Sequence, residues 1–494
     1  MRLKKIIESL EDYSFCGGLR DFQVQGISCN SKSVSADFIF VAVKGTNADG
    51  NSFIAQAIEK GARAVVFQDD INDPSLNVLI QDRARQAGFI KVKDTRKALA
   101  SLARDFYADP SSKLNIIGIT GTNGKTTVSY LIEAIVKEAG LTPAVIGTVN
   151  YRFKDLLLPS LNTTPGPLEL QSLLFRMREA GVTHVAMEVS SHALDQQRTL
   201  GIRFKSGIFT NFTQDHLDYH LTLDNYFQAK CRLFSSLGKD ACAVINNDDE
   251  YGRGLIKLTE AKIITYSIDT KADLTASGIK FDISHTEFVL NAGGRRVDYR
   301  SGLIGRHNIY NILAAVSWAI SEGIDQGAVK SAVENFSFVP GRLERIGTSL
   351  GFTVFVDYAH TEDALKNVIE TLRELSCGKI IVVFGCGGER DKTKRPKMGR
   401  VVSELADYAV ITSDNPRSEE PLAIIEDIVR GVRGDNYCII PDRKEAIQKS
   451  LAQARKGDIV LVAGKGHEDY QVLKTGKIHF DDREVVRECL KSAR

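Results

Sequence analysis

The sequence predicts an α/β protein of three domains with mostly parallel sheets, and three observations carry that prediction. Short apolar runs alternate with helical periodicity along nearly the whole chain. Two Pro-containing breaks, Asp109-Pro110-Ser111-Ser112 and Val339-Pro340-Gly341, interrupt the alternation. Between an apolar run and a helical pattern lies a glycine-rich segment with the composition of an anion cradle. The length of 494 residues suits two to four domains of roughly 100–200 residues each.

In residues 1–105, β-like runs at 38–43, 64–67 and 77–80 alternate with helical segments at 52–60 and 95–107, which predicts a smaller N-terminal α/β domain. Residues 106–338 carry apolar strands at 144–149, 184–189, 207–212 and 241–245, separated by helical patterns, as a mostly parallel sheet requires. Residues 339–494 repeat the alternation. Strands at 353–356, 379–384, 408–412 and 459–463 are interleaved with helices at 362–375, 422–432 and 443–454, so a C-terminal Rossmann-like domain is expected, with ligands at its strand ends.

The cradle is Gly121-Thr122-Asn123-Gly124-Lys125-Thr126-Thr127, after the apolar Leu114 to Gly118 and before a helix over 128–137. Glycines let backbone N–H groups approach phosphate, Lys125 supplies a point charge, and Thr126 offers a hydroxyl to Mg²⁺. ATP is the expected ligand, and the central domain is expected to be a P-loop-type ATPase. The pattern departs from GxxxxGK[ST] because Ile119 stands where the first glycine is expected.

Composition narrows the partners. The net charge of +2, from 64 basic and 62 acidic residues, gives no basic field for nucleic acid. Eight cysteines without a CxxC pair disfavour a zinc site or a disulfide framework. No run approaches the ~18 apolar residues of a membrane span, so a soluble, cytoplasmic protein without membrane insertion is expected, as a monomer.

Other strand ends are rich in ligand-capable groups. Glu188, Ser190, Ser191 and His192 close the 184–189 run, although Ser191 would equally suit a helix cap. Asp215-His216-Leu217-Asp218-Tyr219-His220 crowds two carboxylates and two imidazoles into six residues, and Arg306-His307-Asn308 opens a helix. Three further strands run into Gly385 to Asp391, Asp414-Asn415-Pro416-Arg417 and Gly464-Lys465-Gly466-His467-Glu468, a set that describes a binding crevice.

Taken in order with Asn162-Thr163-Thr164-Pro165 and Asp357-Tyr358-Ala359-His360-Thr361, these motifs make the chain resemble the Mur ligases over nearly its whole length. Within that family it looks like the branch that adds meso-diaminopimelate to the D-glutamate of UDP-N-acetylmuramoyl-L-alanyl-D-glutamate, through an acyl phosphate, in peptidoglycan precursor synthesis. The resemblance implies catalytic roles for Lys125, His216 and Lys230, and ATP contacts from residues 121–127 with Asn308, Arg342 and Asp357. It implies one Mg²⁺ on Thr126 and Glu188 and a second on His216 and a carbamylated Lys230. The UDP-N-acetylmuramoyl-dipeptide would meet Ser31, Thr46, Asn47, Ala48, Asn162, Thr163, Thr164, Ser190, Gln196 and Arg198. Diaminopimelate would meet Arg390, Asp414, Asn415, Pro416, Arg417, Gly464 and Glu468.

In the first domain the family's usual Asp-Ser-Arg reads Asn30-Ser31-Lys32, which puts the role of Lys32 in doubt. Arg417 decides between relatives, because its guanidinium can grip the carboxylate that distinguishes diaminopimelate from lysine. A surface ion pair of Arg417 with Glu419 or Glu420 is the alternative, as is a solvated Lys230. An L-lysine-adding homologue, a folylpolyglutamate-type synthetase and a catalytically silent nucleotide-binding protein are the competing functions.

Overall fold

Each of the three alternating zones builds its own sheet in the computed structural model, which describes residues 1–16, 20–45, 48–68, 74–83 and 86–492. Among the described residues, the N-terminal sheet runs Ser14–Phe15, Gly88–Val92, Ala62–Gln68, Phe38–Val41, Gly26–Ser28, parallel except for Ser14–Phe15. Helix Thr95–Phe106 covers it, held at its start by the Asp94 carboxylate, which accepts from the backbone N–H groups of Arg96 and Lys97.

The central sheet has parallel strands in the order Leu274–Phe281, Lys262–Ser267, Cys242–Asn246, Phe204–Phe209, Asn115–Thr120, His184–Glu188, Pro143–Ile146. Antiparallel pairs extend both edges, Thr286–Ala292 with Arg295–Ser301 on one side and Asn150–Phe153 with Leu156–Pro159 on the other. Strands His184–Glu188 and Cys242–Asn246 are buried at every position because helices cover both faces, and this is why they read as unbroken apolar runs. Strand order reverses around Asn115–Thr120, the switch point at which such sheets bind ligands.

The C-terminal sheet runs Glu344–Ile346, Thr353–Asp357, Ile459–Ala463, Ile380–Phe384, Tyr408–Ile411, Tyr437–Ile439, with only the first strand antiparallel. Arg443, at the start of helix Arg443–Gln453, ties this domain's strand ends together. Its guanidinium grips Asp482 at 2.8 and 2.7 Å and donates to the carbonyl oxygens of Ser413 (3.2 Å) and Ala463 (2.9 Å), with both charged side chains buried.

Three expectations change. Residues 77–80 lie in helix Pro74–Arg83 rather than in a strand, because a short apolar run suits either state and Pro74 favours a first helical turn. Gly88–Val92 supplies the strand instead. The run at 207–212 is displaced: the strand is Phe204–Phe209, and residues 210–212 leave the sheet toward the phosphate loop. The edge strands between 274 and 301 escaped the apolar-run criterion, since one side of each faces solvent.

Removing one partner of a buried ion pair strands the other charge. Asp482→Ala is therefore expected to destabilise the C-terminal domain by about 3–5 kcal/mol, read as a lowered calorimetric transition, while a joint Arg443→Met, Asp482→Leu replacement loses much less.

Candidate active site

The Gly121 to Gly124 loop needs both glycines. They hold φ of 149° and 86°, and an added Cβ would come within 1.9 Å of Thr210 Oγ1 or 2.3 Å of Asn311 Oδ1 respectively. Lys125 curls back to donate to the carbonyl oxygens of Gly121 (2.9 Å) and Thr122 (2.8 Å). Lys230, deeply buried on helix Leu223–Ser235, donates to the same Gly121 oxygen at 2.8 Å and lies over the Tyr226 ring. Burial lowers the pKa of both amines, far below the usual range for Lys230, where the Lys125 charge adds to the effect.

Beside the loop, Glu188 ends its strand with a buried carboxylate that accepts from Thr126 Oγ1 (3.1 Å), Thr148 N (2.9 Å) and Thr148 Oγ1 (2.9 Å). Arg342 reaches across from the C-terminal side to donate to Thr126 Oγ1 at 3.2 Å. The Thr126 hydroxyl and the Glu188 carboxylate are the hard oxygen donors that Mg²⁺ prefers beside phosphate. Among the described residues no group of three or more His, Cys, Asp or Glu side chains forms a ready-made metal cage, so substrate oxygens and water would complete that shell.

Two cavities meet at Tyr358 and His360, which line both. The first, about 360 Å³, is lined by Asn123, Gly124 and Thr127 of the loop and by Asn308, Arg342 and Asp357. Asp357, whose pKa burial raises, accepts from the backbone N–H groups of Leu343 (2.5 Å) and Ala359 (2.7 Å). The second, about 420 Å³, collects Asn162, Thr163, Ser190 and Arg198 on one wall, Asp215 and His216 on another, and Arg390, Asp414, Asn415, Arg417, Gly464 and Glu468 on the third.

Within the second cavity, Arg198 donates to Thr164 O (2.9 Å) and to Gln196 Oε1 (2.7 Å), and Thr164 Oγ1 donates to Glu188 O (2.8 Å). Ser190 caps helix Ser191–Asp195, so the cap falls one residue before Ser191. His216 packs 4.8 Å from His192, ring to ring, and burial pushes it down to about 3 against the pull of Asp215. Arg417 sits at φ 55° with its guanidinium on the carbonyl oxygens of Gly388 (2.5 Å) and Asn415 (3.4 Å). The surface ion pair is not formed: Glu419 is taken by Arg395 (2.9 Å) and Lys392 (3.3 Å), and Arg417 has no carboxylate partner among the described residues. Glu468 accepts from Asn415 Nδ2 (2.8 Å) and from the buried Lys465 (3.0 Å).

Ser31 and Ala48 line neither cavity. Ser31 is buried and donates to Gln56 Oε1 at 2.6 Å, and Thr46 and Asn47 lie outside the described residues. Pro416 supports rather than lines, its carbonyl oxygen so close to Gly388 that a Cβ there would come within 2.0 Å. Thr148 was not singled out from sequence, and Tyr358 and His360 entered only within the Asp357 to Thr361 motif, without a role of their own. Gly147-Thr148 at the end of an apolar run was the available signal for the first of these.

Family models match three consecutive stretches: the Mur ligase family catalytic domain over residues 23–107, the Mur ligase middle domain over 119–319, and the Mur ligase glutamate ligase domain over 341–466. The chain belongs to the Mur ligase family. It is 44% identical over 493 residues to the UDP-N-acetylmuramoyl-L-alanyl-D-glutamate--2,6-diaminopimelate ligase of Clostridium tetani, covering 99% of each chain. It is 44% identical over 469 residues to the protein of the same name from Aquifex aeolicus, covering 95% of this chain and 94% of that one. A solved structure of a ligase of that name superimposes with a TM-score of 0.67 at 34% identity, covering 95% of each chain. A MurF ligase from Thermotoga maritima in complex with ADP, 19% identical, shares the fold at a TM-score of 0.64 over 95% of this chain and 99% of that one. In this Mur ligase no helix among the described residues is long and apolar enough to cross a membrane.

A Cβ on Gly147 would come within 2.3 Å of Glu188 Oε1. Gly147→Ala should displace that carboxylate and raise the Mg²⁺ concentration for half-maximal ATP turnover by about 10- to 100-fold, measured by titration of released ADP.

Proposed function

We propose that this Mur ligase joins meso-diaminopimelate to the D-glutamyl residue of UDP-N-acetylmuramoyl-L-alanyl-D-glutamate, converting ATP to ADP and phosphate. Residues 1–105, 106–338 and 339–494 are assigned to the uridine nucleotide, to ATP and to the incoming amino acid respectively. The observation that carries this reading is the meeting of a cavity on the phosphate loop with one that ends in Arg390 and Arg417. The names of the full-length relatives support it.

The γ-carboxylate of the D-glutamyl residue attacks the γ-phosphorus of ATP, and ADP leaves. The amine of diaminopimelate then attacks the acyl carbon, phosphate leaves, and the ammonium's protons pass to solvent. Negative charge gathers at one point throughout, so the loop amides and Lys125 stabilise both steps electrostatically while Asn308, Arg342 and Asp357 orient the nucleotide. Mg²⁺ held by Thr126 and Glu188 would supply further neutralisation of the phosphates. Asn162, Thr163, Thr164, Ser190, Gln196 and Arg198 hold the acceptor, with Ser31, Thr46, Asn47 and Ala48 assigned to its uridine end. His216 and a carbamylated Lys230 would serve a second Mg²⁺. At Lys230 the neutral amine would attack CO₂, forming a C–N bond and releasing one proton, which puts an anion with oxygen donors beside Gly121 O.

Lysine leaves Arg417 without an anionic partner in a desolvated pocket. A product-mass panel should find diaminopimelate used far better than L-lysine. Arg417→Ala should lower kcat/KM for diaminopimelate by orders of magnitude, on the order of 2–5 kcal/mol, with little change for lysine. Preference for lysine in the unaltered enzyme would overturn the substrate assignment.

Lys230→Ala should nearly abolish ligation while the fold persists by circular dichroism, and a short carboxylic acid should restore part of the activity. A fully active alanine variant would exclude the carbamate.

A further inference from the structure

Helix Lys394–Leu405 of the C-terminal domain brings an unassigned cation to the junction of the two cavities. Lys397 Nζ donates to Gln214 Oε1 at 2.7 Å, a bond between the C-terminal and central domains. Gln214 directly precedes Asp215 and His216, so this bond fixes the start of the helix beside that pair. Lys394 lies one turn earlier on the same helix face, about 5–6 Å away at Cβ. It lines the second cavity together with Asp215, His216 and His360. Its side chain is half-buried, yet it makes no hydrogen bond or ion pair among the described residues.

The nearby carboxylates do not occupy it. Asp391 accepts from Thr393 N (2.8 Å) and Thr393 Oγ1 (2.6 Å), and Asp215 accepts from His216 N (2.8 Å). The charge of Lys394 reaches His360 at the shared wall, where burial first and Lys394 second push the imidazole down to about 4. A half-buried lysine that lacks an anion in the protein is matched to an anion in the substrate.

We propose that Lys394 is a further catalytic residue, which binds the phosphoryl group of the acyl phosphate from the side opposite Lys125 and stabilises it as it leaves, with the Lys397–Gln214 bond setting its reach. This rests on the ligase reading above. Lys125 belongs to the phosphate loop of the central domain, and Lys394 would add a second cation only when the C-terminal domain is in place.

The test begins with unaltered enzyme, ATP, acceptor and diaminopimelate; absence of ligation there would overturn the function itself rather than this inference. With ligation established, Lys394→Gln should lower kcat about 100- to 1,000-fold. The KM for diaminopimelate should stay within about threefold, since uniform binding is not what is removed. Product inhibition by inorganic phosphate should weaken at least about tenfold while inhibition by ADP is unchanged, a split that a merely structural lysine would not produce. Lys394→Arg, which keeps the charge, should recover most of the lost kcat. A kcat within threefold of the unaltered enzyme would overturn the inference. A raised diaminopimelate KM with kcat intact would overturn it too, and would make Lys394 a reader of a substrate carboxylate. Equal loss in the Gln and Arg variants would show that charge is not what matters there.

Discussion

Two lysine amines, that of half-buried Lys125 and that of fully buried Lys230, share one backbone oxygen, that of Gly121, and the rest of the site is arranged around this constraint. Two cations so close and drawn out of water would repel strongly, and this together with burial favours the neutral form of the Lys230 amine. The loop is therefore poised to receive negative charge. The sheet delivers the oxygen to that point, because Asn115–Thr120 ends there with His184–Glu188 on one side and Phe204–Phe209 on the other. Anions that bind the folded site and not the unfolded chain stabilise the fold by linkage.

What the sequence revealed depended on how contiguous each feature was. Strand Ile459–Ala463 and helix Glu362–Leu375 were legible to the residue, because every position of the strand is buried and the helix carries a regular apolar stripe begun by the Thr361 cap. The edge strands beyond Lys262–Ser267 were not, since half of each faces water and its alternation is diluted by charge, as at Arg295-Arg296. The site divides in the same way. Motifs at single strand ends stood out, whereas Thr148 against Glu188, or Lys397 against Gln214, depends on residues 40 and 183 positions apart meeting in space.

The central and C-terminal domains are joined at the site through polar contacts. Asn123 Nδ2 and Thr213 Oγ1 donate to Asp363 Oδ2 at 2.9 and 3.4 Å, and Arg342 and Lys397 make further crossings. Contacts of this kind exchange with water at modest net cost, unlike the apolar cores within each sheet. A second turn of polar contacts, Gln197 to Asp94 at 3.2 Å, links the first and central domains. The seams are not polar throughout, since Ile304 of the central domain packs into the C-terminal apolar core and Leu168 against the N-terminal one.

Tyr358 and His360 form a wall with two faces, one toward the cavity on the phosphate loop and one toward the cavity that ends in Arg390 and Arg417. His360 Nδ1 donates to Tyr358 O at 2.7 Å, so the two residues reorient together or not at all. Any shift of this wall on occupation of one side is felt at the other, and thermodynamics makes the communication reciprocal. The factor by which nucleotide alters amino-acid affinity equals the factor by which amino acid alters nucleotide affinity. If a ligand on one side moves this shared wall, the two binding equilibria become a single linked system.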